Sequence, residues 1–156
     1  MASSERPADY KQQESELDDL YREIIMDHYR NPRHKGRLAA PTACHEGLNP
    51  LCGDEVTIDV ALKDGRIDDI AYSGAGCSIS QSSASMMTEA VEGKSAAEAR
   101  KLATDFTAMM RGSDDIDPES LGDLEALSGV RKFPVRIKCA TLAWHTLEEA
   151  LTQAGA

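Results

Sequence analysis

Three cysteines and one aspartate of this 156-residue chain could together bind one metal ion. Cys52 and Asp54 stand on either side of a glycine in NPLCGDEV, Cys77 ends GAGC, and Cys139 ends VRIKC. Three thiolates with one carboxylate form a tetrahedral ligand set that zinc accepts. A carboxylate holds zinc less firmly than a thiolate does, so we expect this mixed set to exchange ligands more readily than four cysteines would.

A predicted β-hairpin brings the first two of these cysteines to one end of a sheet. Residues 56–62 alternate between apolar and polar side chains, which is typical of a half-buried strand. The Asp-Gly pair at 64–65 is a strong two-residue turn signal, and residues 67–73 form the return strand. The hairpin therefore returns Cys77 to the end of the sheet at which Cys52 lies.

Helical patterns fill most of the remaining chain. Apolar residues recur at helical spacing after Ser15, and Asn31-Pro32 ends that pattern. Residues 33–51 are predicted to be a loop with at most a short edge strand, and the acidic residues 112–125 a surface loop that leads to a short helix ending near Gly129. The other predicted helices are 78–92, 95–111 and 134–153. We expect a single domain at 15–156 behind a flexible tail at 1–14.

Two of the cysteines are expected near the positive ends of helices. Cys77 would precede one helix, and Cys139 would lie in about the first turn of the last one. The helix dipole lowers the pKa of a nearby thiol, and Lys138 adds positive charge beside Cys139. Thiolate is the form that binds zinc or attacks a persulfide.

Simpler interpretations remain open at this point. An isolated cysteine is most often a small buried apolar residue. The spacing of 25 and then 62 residues matches no zinc ribbon or finger. The Cys44-His45 pair is another possible metal pair, but it lies in a predicted loop without a matching partner. We interpret the other histidines, His28 among them, as packed or exposed helix and loop residues.

Composition excludes several classes of function. A net charge of −10 argues against nonspecific nucleic-acid binding, which requires a basic surface. No apolar run is long enough for a membrane span, and the N-terminus lacks the apolar segment of a secretory signal. We therefore expect a cytoplasmic location, where cysteines serve metal binding or sulfur chemistry more often than disulfides. Aromatic residues are only 4% of the chain, so the core must rely on aliphatic residues and methionine.

Four segments together resemble a known family. LYREIIMDHYRNPRHKG, NPLCGDEVTIDV, GAGCSISQSSASMMTEAV and VRIKCATLAWHTLEEAL are similar to segments of the SufU branch of the IscU/NifU-type iron–sulfur assembly proteins. The resemblance covers residues 17–153. It implies an α+β fold of the SufE/IscU-like kind, with an antiparallel sheet covered by helices on one side.

The resemblance also implies a function and a site. The family's metal ligands correspond to Cys52, Asp54, Cys77 and Cys139, and in SufU-like proteins this site holds Zn²⁺. Such proteins take persulfide sulfur from a cysteine desulfurase that uses pyridoxal phosphate and pass it to downstream iron–sulfur assembly proteins. The resemblance implies Cys52 as the sulfur-accepting thiolate. We hypothesise that Cys52 leaves the metal to accept sulfur while a ligand from the partner replaces it.

Three departures from the IscU pattern weigh against cluster building. IscU-type scaffolds carry a histidine where this chain has Lys138, and a Pro-Pro motif where it reads KFPVRIKC. Residues 112–132 form an insertion that is typical of the SufU branch. The main hypothesis is thus a zinc-dependent sulfur acceptor. The alternatives are a scaffold for a transient iron–sulfur cluster and a zinc-stabilised binding module without sulfur transfer.

A basic stretch near the last cysteine is a candidate docking surface. Arg131, Lys132 and Arg136 follow the acidic insertion and precede Cys139. We predict that Arg136 helps to dock the desulfurase. The alternative is that these residues only balance the neighbouring acids.

Overall fold

A three-stranded antiparallel sheet forms one layer of the molecule. The computed structural model describes the backbone of residues 8–156 and the side chains of residues 17–156. The strands are β1 (Ala43–Asn49), β2 (Asp54–Lys63) and β3 (Arg66–Ala75), in the order β1-β2-β3. Both turn residues between β2 and β3 have positive φ, 54° at Asp64 and 76° at Gly65, as a tight hairpin turn requires. The predicted hairpin is confirmed, and β1 extends the predicted edge strand to seven residues.

Five α-helices and one 3₁₀ segment surround this sheet within the described residues. They are α1 (Ala8–Arg30), α2 (Ser78–Val91), α3 (Ala96–Met110), α4 (Pro118–Leu121), the 3₁₀ segment (Gly122–Lys132) and α5 (Pro134–Gln153). The last helix, α5, packs on β1 and β2 and also contacts α2 and α3, while α1 packs on α2. The predicted starts and ends of α2, α3 and α5 agree with these bounds to within about one residue.

The core between the layers uses few aromatic side chains. Trp144 on α5 is fully buried and stacks on Phe106 of α3, with ring centroids 5.1 Å apart. Tyr72 of β3 is the third aromatic residue of the cluster, and its other members are aliphatic and methionine side chains, among them Met87 and Met110. This confirms the expectation drawn from the composition.

The beginning of α1 was predicted wrongly. The helix begins at Ala8, seven residues before the predicted start at Ser15, so residues 8–14 of the predicted tail are helical. Residues 1–7 of that tail lie outside the described residues. Their neighbours at 8–14 are polar and lack the apolar periodicity from which the start was read.

The acidic insertion is more ordered than a solvated loop. Four apolar side chains at every third position are buried, Leu121, Leu124, Leu127 and Val130. A 3₁₀ helix has three residues per turn, so this spacing places all four on one face. The segment contacts α1, α2, α3 and α5 with that face. The prediction of a surface loop leading to a short helix missed this spacing.

Candidate metal centre

The turn between β1 and β2 places the first two candidate residues. Asn49 and Asp54 pair across the strands, and four residues connect them. The Cys52 N–H donates to the Asn49 carbonyl oxygen at 3.2 Å, and Gly53 has a φ of +67°. A positive φ suits glycine far better than any other residue. Gly53 therefore allows the tight turn that places Cys52 and Asp54 on either side of it.

Three of the four predicted ligands converge at this end of the sheet. The Sγ atoms of Cys52 and Cys139 are 3.2 Å apart, and a carboxylate oxygen of Asp54 lies within 4.8 Å of both. Asp54 is 1% exposed and Cys139 is 0% exposed, whereas Cys52 is partly exposed. A buried carboxylate beside two thiols carries a high desolvation cost unless a cation compensates it.

The fourth residue, Cys77, borders this group through Asp54. As the residue that precedes α2, it donates its N–H to Asp54 Oδ1 at 2.9 Å, and its Sγ lies 4.0 Å from Asp54 Oδ2. The three mutually close donors do not include its thiol. Ligands of a tetrahedral zinc ion with Zn–S bonds of about 2.3 Å lie about 3.8 Å from one another. The Sγ atoms of Cys52 and Cys139, at 3.2 Å, are closer than this, and the Cys77 thiol would have to move toward them. Thiolates with one carboxylate are ligands that zinc accepts, so the donor set fits zinc by its chemistry.

The predicted acidity of Cys139 is wrong for the metal-free protein. Burial raises the pKa of its thiol well above the usual range, and hydrogen bonds with Cys52 and Asp54 raise it further. Cys139 is the sixth residue of α5 rather than in its first turn, and the helix dipole acts mainly within that turn. A bound cation would have to provide the stabilisation of the thiolate that the dipole does not.

Arg136 lies at the edge of the same group. Attraction to the Cys77 thiolate and a hydrogen bond with it raise the pKa of the Arg136 guanidinium, and Cys139 and Cys52 contribute further. The side chain is exposed. Arg136 therefore lies near the cysteines of the group and is also accessible from solvent.

Two residues of the site were not identified from the sequence. The Asn49 side-chain amide is directed at Cys139 Sγ, 3.7 Å away, and Asn49 is buried. A Cβ atom on Gly76 would lie 2.5 Å from Asp54 Oδ1 and 2.6 Å from Ser80 Oγ. The GAGC motif connects β3 to α2, and its second glycine leaves the space that the Asp54 carboxylate occupies.

The Cys44-His45 pair does not form a second centre of this kind. Adjacent residues of a strand point to opposite faces of the sheet, so the two side chains of this pair in β1 diverge. Cys44 Sγ instead accepts a hydrogen bond from Arg37 at 3.4 Å, beside the buried Asp59 carboxylate. Among residues 17–156, neither Cys44 nor His45 belongs to a cluster of three potential metal ligands.

Comparison with known proteins shows which proteins this chain is similar to. The family profile of the NifU-like N terminal domain matches residues 20–153. Over 137 residues the chain is 47% identical to the zinc-dependent sulfurtransferase SufU of Bacillus subtilis (strain 168), covering 88% of this chain and 92% of that protein. It is 46% identical to the iron–sulfur cluster assembly scaffold protein IscU of Streptococcus pyogenes serotype M1, also over 137 residues, covering 88% of this chain and 86% of that protein.

A solved structure shares the fold. It is described as an iron–sulfur cluster assembly scaffold protein for the SUF system from Fervidobacterium islandicum AW-1. The TM-score is 0.79 at 36% sequence identity, with 83% of this chain and 94% of that chain covered. In the part of our chain that the structure describes, we find no helix with the length and apolar character needed to cross a membrane. On the family match and these identities, the chain belongs to the NifU-like N terminal domain family, with SufU and IscU proteins among its relatives.

Proposed function

We propose that this protein accepts sulfur at Cys52 for the assembly of iron–sulfur clusters. The observation that carries the proposal is the unequal anchoring of its cysteines. Cys52 lies partly exposed in the turn after β1, with its N–H bonded to Asn49. Cys139 is buried within α5, and Cys77 is held through its N–H by Asp54 and through its carbonyl by Gln81. Cys52 can therefore move toward a partner at the lowest structural cost.

The donor set supports zinc as the resident ion. We propose Cys52, Asp54, Cys77 and Cys139 as its ligands. The Bacillus subtilis relative is named as a zinc-dependent protein, which supports zinc as the ion. Zinc bound there would keep the thiols deprotonated at neutral pH, which the buried environment of Cys139 alone opposes. Four anionic ligands exceed the charge of a divalent cation by about two units, and Arg136 offsets part of that excess from its position beside Cys77.

The transfer step is an exchange between sulfur atoms. The Cys52 thiolate attacks the outer sulfur of a persulfide on the partner's cysteine. A new S–S bond forms on Cys52 Sγ, the S–S bond of the partner breaks, and the partner's cysteine leaves as a thiolate. The step needs no external oxidant or reductant. The proposed partner is a cysteine desulfurase that uses pyridoxal phosphate, and downstream iron–sulfur assembly proteins would receive the sulfur.

Exposed apolar side chains next to Cys52 and at the start of α5 support docking of such a partner. Leu51, the neighbour of Cys52, is 71% exposed, and Phe133 at the start of α5 is 60% exposed. Leu48 and Val135 are exposed as well. Large exposed apolar side chains often mark interaction sites. Arg136 follows Val135 in α5, so a partner that covers Val135 would also meet the guanidinium.

The decisive experiment is transfer from a desulfurase to defined cysteine variants. The protein is incubated with the enzyme and cysteine, and the sulfur gained is located by mass spectrometry of the Cys52 peptide. We expect C52A to bind the desulfurase without accepting sulfur. The matched control is C44S, which also removes one thiol but lies outside the proposed ligand set. Full sulfur acceptance by C52A would refute the assignment.

The scaffold hypothesis remains the second candidate, because thiolates and a carboxylate also suit an iron–sulfur cluster. Relatives named as IscU scaffolds favour it. Against it, this chain has Lys138 before Cys139, where IscU-type scaffolds carry a histidine. Metal analysis of the purified protein separates the two: one zinc and no colour supports sulfur transfer, whereas a brown, oxygen-sensitive protein supports the scaffold. A zinc protein whose Cys52 stays unreactive beside the desulfurase would support a binding module.

A further inference from the structure

A buried histidine of α1 that packs against α2 has a ring nitrogen without a hydrogen-bond partner. His28 near the end of α1 is 1% exposed, and its Nδ1 lies 2.8 Å from Ser85 Oγ of α2. Its Nε2 is buried and has no hydrogen-bond partner. That nitrogen is directed toward two carboxylates, those of Glu89 on α2 and Asp123 on the 3₁₀ segment.

Neither neutral form of the ring satisfies this nitrogen with protein groups alone. If Nδ1 donates to Ser85 Oγ, then Nε2 presents a lone pair to carboxylates that have no proton to donate. If Nε2 carries the proton, Asp123 Oδ2 is 3.9 Å away, which is beyond hydrogen-bond length. A metal cation bound between them would satisfy the lone pair and both carboxylates.

We propose that His28, Glu89 and Asp123 form a second site, for a divalent first-row transition-metal cation. One potential ligand atom from each residue lies within 4.8 Å of those of the other two. The contact between Nδ1 and Ser85 is the kind of outer hydrogen bond that orients a histidine ligand and fixes its tautomer. Ser85 Oγ is itself held by the N–H of Arg33 at 2.9 Å, so the imidazole is positioned before a cation arrives.

The surroundings allow a cation to enter. The three residues line an open cavity of about 310 Å³ between α1, α2 and the segment that follows α4, with room for water as further ligands. Two cationic side chains are close: Lys94 lines the cavity, and Arg33 Nε lies 3.3 Å from Glu89 Oε2. Arg33 also pairs with Asp27 at 2.7 Å, and the second oxygen of Glu89 remains available.

The types of the proposed ligands determine which metal ion can be used to test the site. One imidazole with two carboxylates suits Mn²⁺, Fe²⁺ and Zn²⁺, whereas Mn²⁺ has little affinity for thiolates. Mn²⁺ therefore reports on this site and not on the cysteine centre. It is also paramagnetic, so it broadens the nuclear magnetic resonance signals of the residues around it.

The test is Mn²⁺ titration of the purified full-length protein, followed by electron paramagnetic resonance of the free ion. We expect one saturable site in the wild type and at least about tenfold weaker binding in D123N and E89Q. The matched control is E119Q, which removes a charge from the same cavity but not from the ligand cluster. Asp123, Glu89 and Glu119 are all exposed, so these variants should fold normally.

Signal broadening locates the ion independently of the variants. We expect it at residues around His28, Ser85 and Asp123, and not around Cys52. Each of three results would overturn the proposal: no saturable Mn²⁺ binding, equal affinity in D123N and E119Q, or broadening centred on Cys52. Because the experiment measures Mn²⁺ binding at the His28 cluster, its result does not depend on whether Cys52 accepts sulfur.

Discussion

Replacing Gly76 by alanine should disturb the candidate metal centre through a single added carbon atom. The new Cβ would lie 2.5 Å from Asp54 Oδ1 and 2.6 Å from Ser80 Oγ, closer than such atoms approach in real structures. Both obstructing atoms belong to side chains, and the backbone of Gly76 has no positive φ, so the main chain itself tolerates alanine. The Asp54 carboxylate and the Ser80 hydroxyl are therefore the groups that must move.

The size of the effect follows from what Asp54 contacts. Its Oδ1 accepts the N–H of Cys77 at 2.9 Å in a buried setting, and a hydrogen bond to a charged group contributes about 1.5–3 kcal/mol. We expect G76A to lower the free energy of unfolding of the metal-free protein by about 1–3 kcal/mol. If Asp54 is a zinc ligand, zinc affinity should fall by about 10- to 100-fold, the range measured when the support of a metal ligand is lost.

Urea unfolding and zinc competition with a chromophoric chelator measure these two quantities. The matched control is G129A, since a Cβ on Gly129 meets nothing within 4 Å and its φ is not positive. That variant should keep the zinc affinity of the wild type and be at least as stable, because alanine favours helical backbone over glycine. If folded G76A bound zinc as tightly as G129A does, the placement of Asp54 in the centre would be refuted.

Two further predictions concern charge and pH. Charge reversal in R136E should reduce stimulation of the desulfurase and weaken zinc binding, because the guanidinium lies beside Cys77. The control is R131E, since the Nε of Arg131 donates to the Ser128 carbonyl. Equal desulfurase stimulation by the two variants would argue against docking by Arg136. Burial raises the pKa of Tyr72 to about 12, above its unfolded value near 10. The stability that comes from the neutral folded phenol is fully present below pH 10 and is lost as pH rises from about 10 to 12, by about 1–2 kcal/mol. Unfolding measured across that range should show a smaller loss in Y72F, and identical pH profiles would contradict the assignment.

Much of the fold could be predicted because its signals are local. The Asp-Gly turn, the alternation along β2 and the Ser95 capping box depend on neighbours within a few residues, and the structure contains all three. The acidic insertion was interpreted less well. Its leucines recur every third residue, a period that matches neither an α-helix nor a strand, and burial against the other helices selects the 3₁₀ form.

The sequence alone determined which residues could form the metal centre and in which motifs they stand. The types and positions of Cys52, Asp54, Cys77 and Cys139, with their resemblance to a family, are the basis of the proposed ligand set. The tertiary structure decided how those residues differ. It buries Cys139 and so raises the pKa of its thiol, and it leaves Cys52 partly exposed in a turn. Burial depends on elements far apart in the chain, so no local pattern carries it.

The His28 cluster is an arrangement that only the tertiary structure determines. Helical spacing placed His28 on a face of α1 and gave no reason to connect it with Glu89 or Asp123, which are 61 and 95 residues further along the chain. Packing of α1 on α2 and on the 3₁₀ segment brings the three together and buries the imidazole. A site made by the packing of separate helices leaves no spacing in the sequence, because each ligand satisfies the local rules of its own helix.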